Sequence, residues 1–167
     1  MSEDDLFYQA SQQWDAGNVK QAFTLFKLAA EQGDSNAQNS LGYFFDTGKA
    51  VKKNTNKALF WYKKAARSGD EMAYANIGTI YRDRRNYDRA RFWFLKALKS
   101  GDGDAALELA RLYLGRKSKL GSIQASKYLR LALKSKSITE DSLDEVKLLL
   151  KRLEVSDSKP PSPKSTP

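Results

Sequence analysis

Small and apolar residues return along this chain at helical spacing, and then the whole pattern returns. They fall at Ala37, Leu41, Gly42 and Phe45, again at Ala73, Ile77, Gly78 and Tyr81, and again at Ala105, Leu109, Ala110 and Tyr113. Each set lies on one face of a helix with 3.6 residues per turn. A second stripe follows the first: Ala58, Trp61, Tyr62, Ala65 and Ala66 within "NKALFWYKKAARSGD", residues 56–70. Its counterpart, "DRARFWFLKALKSGD", occupies residues 88–102 in the same register. Worn copies keep Ala22 and Ala125 in place of Ala58, and Ala29-Ala30 and Ala132-Leu133 in place of Ala65-Ala66.

The unit is therefore a helix (A), a turn and a second helix (B), closed by a glycine suited to a helix C-cap at Gly33, Gly69 and Gly101. Gly42, Gly78, Ala65 and Ala97 are small enough to let A and B approach, with Trp and Tyr filling the space beside them. Trp61 and Trp93 are expected in equivalent buried sites. One hairpin cannot bury both of its faces, so successive hairpins must stack. The expected fold is all-α, an α-solenoid of about four helix-turn-helix repeats plus a C-terminal capping helix. Repeats are expected at about 3–34, 35–70, 71–102 and 103–136, within one repeat domain spanning 3–154.

The end of the chain follows other rules. "ITEDSLDEVKLLLKRLE" places acids in its first turn and Lys151 and Arg152 in its last, as a helix dipole prefers. Its stripe is Leu143, Val146, Leu150 and Leu153, and Thr139 or Ser137 is suited to cap it. It is read as a cap helix, 139–154, that covers the last repeat. Leu148 and Leu149 widen the stripe enough to leave a dimerisation helix as the alternative, so the chain is expected as a monomer or weak dimer. Residues 155–167, rich in Pro and Ser, are expected to be disordered.

The segment "AQNSLGYFFDTGKAVKKNTNKALFWYKKAARSGD", Ala37 to Asp70, resembles a Sel-one-like repeat, a relative of the tetratricopeptide repeat. Matching positions are Ala37, Leu41, Gly42, Phe45, Gly48, Val51, Lys57, Ala58, Trp61, Tyr62, Lys64, Ala65, Ala66 and Gly69. Ala50 replaces the second loop glycine, and Asn54 replaces an aspartate. The next unit lacks the long loop and turns at "RDRRN", Arg82 to Asn86, in a tetratricopeptide-like way. The resemblance covers about Leu6 to Ser135. It implies a right-handed α-solenoid used as a protein-binding scaffold.

Composition removes most chemistry. The 167 residues include no cysteine and no histidine, which excludes disulfides, thiolate nucleophiles, Cys- or His-ligated metals and Ser-His-Asp devices. Ser156 and Lys159 match a Ser-x-x-Lys pattern, but in a tail that cannot desolvate the lysine. Pro160 and Pro163 fit a polyproline ligand pattern that arises freely in such tails. Asp46-Thr47-Gly48-Lys49 lacks the glycine-rich flank of a phosphate loop. No catalytic residue, metal site or cofactor is assigned, and the chain is not expected to be an enzyme. An acidic start, "MSEDDLFYQA", and the lack of a long apolar run point to a cytoplasmic protein without a membrane span.

Charge then suggests where a partner sits. Net charge is +9, with acids in excess over the first 50 residues and bases in excess thereafter. Two surfaces follow from register. Helix A positions outside the stripe, Ser40, Tyr43, Asn76, Thr79, Glu108 and Arg111, are expected to line a polar protein-binding groove around Tyr43. The A–B turns supply a basic ridge: Lys52, Lys53, Arg82, Arg84, Arg85, Arg116, Lys117 and Lys119. The expected function is a protein-interaction scaffold or an inhibitor of immunity type with an acidic protein partner. The alternative is a nucleic-acid-binding module that uses the ridge.

Overall fold

The computed structural model describes residues 3–157, and every regular element among them is a helix. Three A–B hairpins come first: α1 (Glu3–Asp15) with α2 (Val19–Gln32), α3 (Ser35–Thr47) with α4 (Thr55–Arg67), and α5 (Ala73–Asp83) with α6 (Tyr87–Lys99). They form one compact unit that ends at Ser100. A second unit starts at Gly101 and contains α7 (Asp104–Leu114), α8 (Lys119–Lys134) and α9 (Glu140–Asp157). In the first unit each helix packs on its neighbours in sequence, α1 on α2 through to α5 on α6. That nearest-neighbour packing is the signature of stacked repeats.

The recurring Gly-Asp pair is a two-part joint. Glycine ends the B helix in left-handed backbone, with φ of 114° at Gly33, 95° at Gly69 and 97° at Gly101. The aspartate then caps the next A helix. The Asp34 carboxylate accepts from the Ala37 N–H at 2.7 Å, Asp70 from the Met72 N–H at 2.9 Å, and Asp102 from the N–H groups of Asp104 and Ala105 at 3.0 and 3.2 Å. Each bond satisfies a helix-start N–H that has no partner inside the helix. Three B helices have their own caps: Asn54 accepts from the Lys57 N–H, Asn86 from Arg89 and Ser118 from Gly121.

Glycine does a second job inside the A helices. A Cβ at Gly42 would lie 2.6 Å from two ring carbons of Tyr62, and one at Gly78 would lie 2.7 Å from two of Phe94. Tyr62 and Phe94 are fully buried there, whereas Trp61 and Trp93 are only half-buried. The expectation of buried indoles is thus corrected. Position i+4 from Ala58 or Ala90 faces the A helix squarely, and the tryptophan one residue earlier is turned to the flank. At the matching register of the second unit stand Ala110 and Leu129, both buried. One methyl more on the A helix goes with a smaller side chain on the B helix.

The core of the first hairpins is aromatic. Phe44 has Trp14, Phe23 and Phe26 at centroid distances of 5.4, 5.4 and 5.9 Å. The small residues Ala10, Ala22, Ala29, Ala30 and Ala37 bring the backbones close enough for these rings to meet.

In the second unit α9 packs on α8 and, more lightly, on α7. Val146 is its buried anchor. Thr139 caps it, its hydroxyl accepting from the Ser142 N–H, and both its N–H and its hydroxyl donate to Asp104 at 3.1 Å. Ser137 instead ties the chain ahead of α9 to the start of α7, accepting from the Gly103 N–H at 3.0 Å and donating to the Gly101 carbonyl. The helix runs on to Asp157, past the expected end at 154. Most of the tail expected to be disordered, residues 158–167, lies outside the described residues.

Candidate protein-interaction site

A hollow lies beside Tyr43 in the first unit, where a polar groove was expected, and its floor is aromatic. It measures about 320 Å³, and its walls come mainly from the A helices: Phe7, Ser11 and Trp14 from α1, Asn39, Ser40, Tyr43 and Phe44 from α3, and Asn76 from α5, with Phe26 of α2 behind them. Three of the expected residues, Ser40, Tyr43 and Asn76, therefore meet there. Thr79 is half-buried on α5 and does not line it. Asn76 donates to the Asn39 side chain at 3.1 Å, which joins α5 to α3 across the hollow.

Trp14 is the residue that sequence reasoning missed. Its ring meets Tyr43 edge-to-face at 5.9 Å, and the Lys49 ammonium sits 4.9 Å from the Trp14 centroid and 5.2 Å from that of Tyr43. Lys49 also donates to the Tyr43 hydroxyl at 3.0 Å. A cation over ring faces is held electrostatically, so one lysine fixes two rings at the rim. The signal in sequence was faint, because α1 is the most worn copy and its groove positions align with little.

Glu108 and Arg111, the remaining groove candidates, belong to the second unit and serve a structural bond. The Arg111 guanidinium pairs with Glu108 on its own helix and with Glu145 on α9, with one Nε–Oε1 distance of 3.0 Å. Those bonds raise the Arg111 pKa further above its usual range, the hydrogen bond to Glu145 most of all. Arg111 is thus bonded to α9, and Glu108 to Arg111.

The ridge residues of the first unit are interleaved with acids. Arg82 pairs with Asp83 at 3.0 Å, and Arg84 donates to Asn56 at 2.8 Å. Lys53 and Arg84 share a hollow with Asp46 and Asp83. Burial raises the Asp46 pKa against the lowering field of Lys53. Counting the turns alone overstated the positive field of the first unit, because the last turn of each of its A helices brings an aspartate: Asp15, Asp46 and Asp83. Lys52 and Arg85 are exposed, and Arg85 holds φ of 57°. In the second unit Arg116 lies 5.2 Å over the Tyr113 ring, Lys117 holds φ of 47°, and Lys119 opens α8.

No helix among the described residues is long and apolar enough to cross a membrane. No cluster of acidic residues there could hold a metal ion.

Comparison with known proteins agrees with the architecture of paired helices. A structure of a Sel1 repeat protein from Oxalobacter formigenes superposes with a TM-score of 0.72 at 26% identity, covering 93% of this chain and 72% of that one. The chain is 33% identical over 60 residues to the chitin synthase regulator SKT5 of Malassezia restricta, and 34% identical over 62 residues to the DAP3-binding cell death enhancer 1 of Rattus norvegicus. Those segments cover 36% and 37% of this chain but 4% and 12% of the relatives, so the chain matches only a small part of their length. Three stretches match the Sel1 repeat family, at residues 7–34, 35–70 and 72–102. Capped hairpins, glycine-on-ring contacts and these matches together place the chain in the Sel1 repeat family.

Proposed function

We propose that the chain is a non-enzymatic protein-interaction scaffold or inhibitor whose A-helix groove holds an acidic protein partner. The observation that carries this reading is the Trp14–Tyr43–Lys49 cluster on the groove rim. Two rings fixed by packing and a lysine make a contact surface that loses little entropy on binding, and Trp and Tyr are the side chains that dominate binding hot spots. Asn39 and Asn76 add donors and acceptors that adapt to a partner backbone. The lysine at the rim favours a carboxylate nearby. The scaffold role of the repeat family supports the same class of function.

The test is a pull-down from the native cell with the unaltered chain and with Tyr43→Ala, followed by dissociation kinetics of what co-purifies. Loss of a hot-spot ring should raise the dissociation rate by about tenfold or more. A partner retained equally by both chains overturns the groove. Tight binding of a random oligonucleotide near physiological salt, unchanged by Tyr43→Ala, would favour the nucleic-acid reading instead.

A further inference from the structure

A second hollow in the first unit is larger than the groove. It measures about 780 Å³ and is walled by α2, α3, α4 and the loop between α3 and α4. Phe23, Phe45, Val51, Phe60 and Trp61 make its apolar surface, and Lys27, Lys52, Lys53 and Lys57 stand around it with no acidic residue in the lining. Lys27 has Glu31 at 3.8 Å on its own helix, and Lys53 faces Asp46. Lys52 and Lys57 have no carboxylate within ion-pair distance among the described residues, and the Lys57 ammonium lies 5.3 Å from the Phe45 centroid. Lys52 and Lys57 thus leave two positive charges beside an apolar hollow with no carboxylate among the described residues to balance them, which favours an anion there.

The same combination recurs one repeat later. Tyr74 and Trp93 wall a hollow of about 390 Å³ with Lys63, Arg67 and Lys96, again without an acid in the lining. Phe60 meets Trp61 edge-to-face at 5.2 Å, and Phe92 meets Trp93 in the same way at 5.3 Å. Lys64 and Lys96 each lie 5.1 Å over the tryptophan of their own helix. Phe60 and Phe92 are 61% and 53% exposed. No core requires them, yet the sequence repeats them in register. Large aromatics left in water beside unpaired cations mark a binding surface.

We infer that α4 and α6 present a second docking surface, for an acidic segment of a partner protein with two apolar anchors, one for the Trp61 hollow and one for the Trp93 hollow. Charge complementarity selects the occupant: cations rim both hollows, and both interiors are apolar. A nucleic acid fits less well. The perpendicular Phe-Trp pairs give no parallel faces on which successive bases could stack, and the first hollow is partly aliphatic, through Val51 and Leu41. This surface shares neither Tyr43 nor Trp14 with the groove, so the two readings stand or fall separately.

The test is selection of random 12-residue display peptides on the full chain, with the Lys52→Glu/Lys57→Glu chain as the comparison. Both lysines are exposed, so the double variant should fold, which circular dichroism checks. Enriched peptides should combine Asp or Glu with two aromatic or aliphatic residues, and should bind the double variant about tenfold or more weakly. Trp93→Ser should weaken them as well, and Tyr43→Ala should leave them unchanged. The inference is overturned if no peptide is enriched, if enriched peptides carry no acidic bias, or if the double variant retains them. Displacement of the peptides by a (dT)12 oligonucleotide at physiological salt overturns it too, in favour of a nucleic-acid surface.

Discussion

The ring of Tyr62 rests directly on the backbone of Gly42, with no room for a methyl group between α3 and α4. Gly42→Ala gains about 1 kcal/mol of helix propensity but forces the buried ring to move, and overpacking costs about 1–3 kcal/mol. The net effect should be a loss, read as a lower midpoint in urea with an unchanged slope. Adding Tyr62→Leu, which copies the Ala110 and Leu129 pairing of the second unit, should recover part of it. A Gly42→Ala chain as stable as the original would show that the two helices have slack here.

Asp70 should carry a pH signature. Its second carboxylate oxygen is buried without a hydrogen-bond partner, and burial raises its pKa despite the lowering effect of the Met72 and Ala73 N–H groups. The native state therefore holds this proton to a higher pH than the unfolded chain does. Its contribution to stability is full below the unfolded value and is lost as pH rises through the folded value. Asp70→Asn keeps a capping oxygen and removes the charge. It should flatten that part of the stability curve in thermal melts between pH 3 and 7, and Asp70→Ala should flatten it equally while costing about 1 kcal/mol more than Asp70→Asn at every pH through the lost cap.

Ala50 holds φ of 60° in the loop between α3 and α4. Left-handed backbone costs an L-residue roughly 1–2 kcal/mol, and the greater freedom of glycine in the unfolded chain returns about 0.5–1 kcal/mol of that. Ala50→Gly should therefore stabilise the chain by about 0.5–1 kcal/mol. A lower unfolding midpoint would mean that the methyl group has a contact worth more than the strain.

Removal of residues 140–157 should expose the α8 surface that Val146 covers, and the product should aggregate in light scattering. Arg111→Ala alone, at a partly exposed ion pair, should lower stability by no more than about 1 kcal/mol. Equal behaviour of the two would show that α9 is held by its charges and not by its apolar stripe.

Helix positions were legible because stripe, cap and breaker agree at each end. Ala58 and Ala65, for instance, are spaced i and i+7 on the face that meets α3. Side-chain roles within a stripe were less so. Trp61 is the largest apolar residue of its segment, but helical geometry gives the central position to Tyr62. The groove was half legible: Tyr43, Ser40 and Asn76 follow from register, while Trp14 comes from a copy too worn to align. Glu145 could not be found as the partner of Arg111, because no spacing rule links residues so far apart in sequence. The exposure of Phe60 and Phe92 escaped for the opposite reason. Repetition was read as a sign of packing, and here it also copies a surface.

The Gly-Asp joint has a consequence for how such a chain can change. Closing one helix and capping the next with adjacent residues leaves little slack between hairpins, so an insertion at Gly69-Asp70 would break both caps and rotate the α5–α6 hairpin against α4. The A–B connections carry no such restriction. Residues 48–54 make a long loop where residues 84–86 make a tight turn, and the hairpins on either side keep their packing. Length variation is thereby channelled to one kind of joint, and the material added there falls beside the Lys52 and Lys53 cations. A lineage of such chains could re-tailor its recognition loops one repeat at a time while the frame that presents them stays fixed.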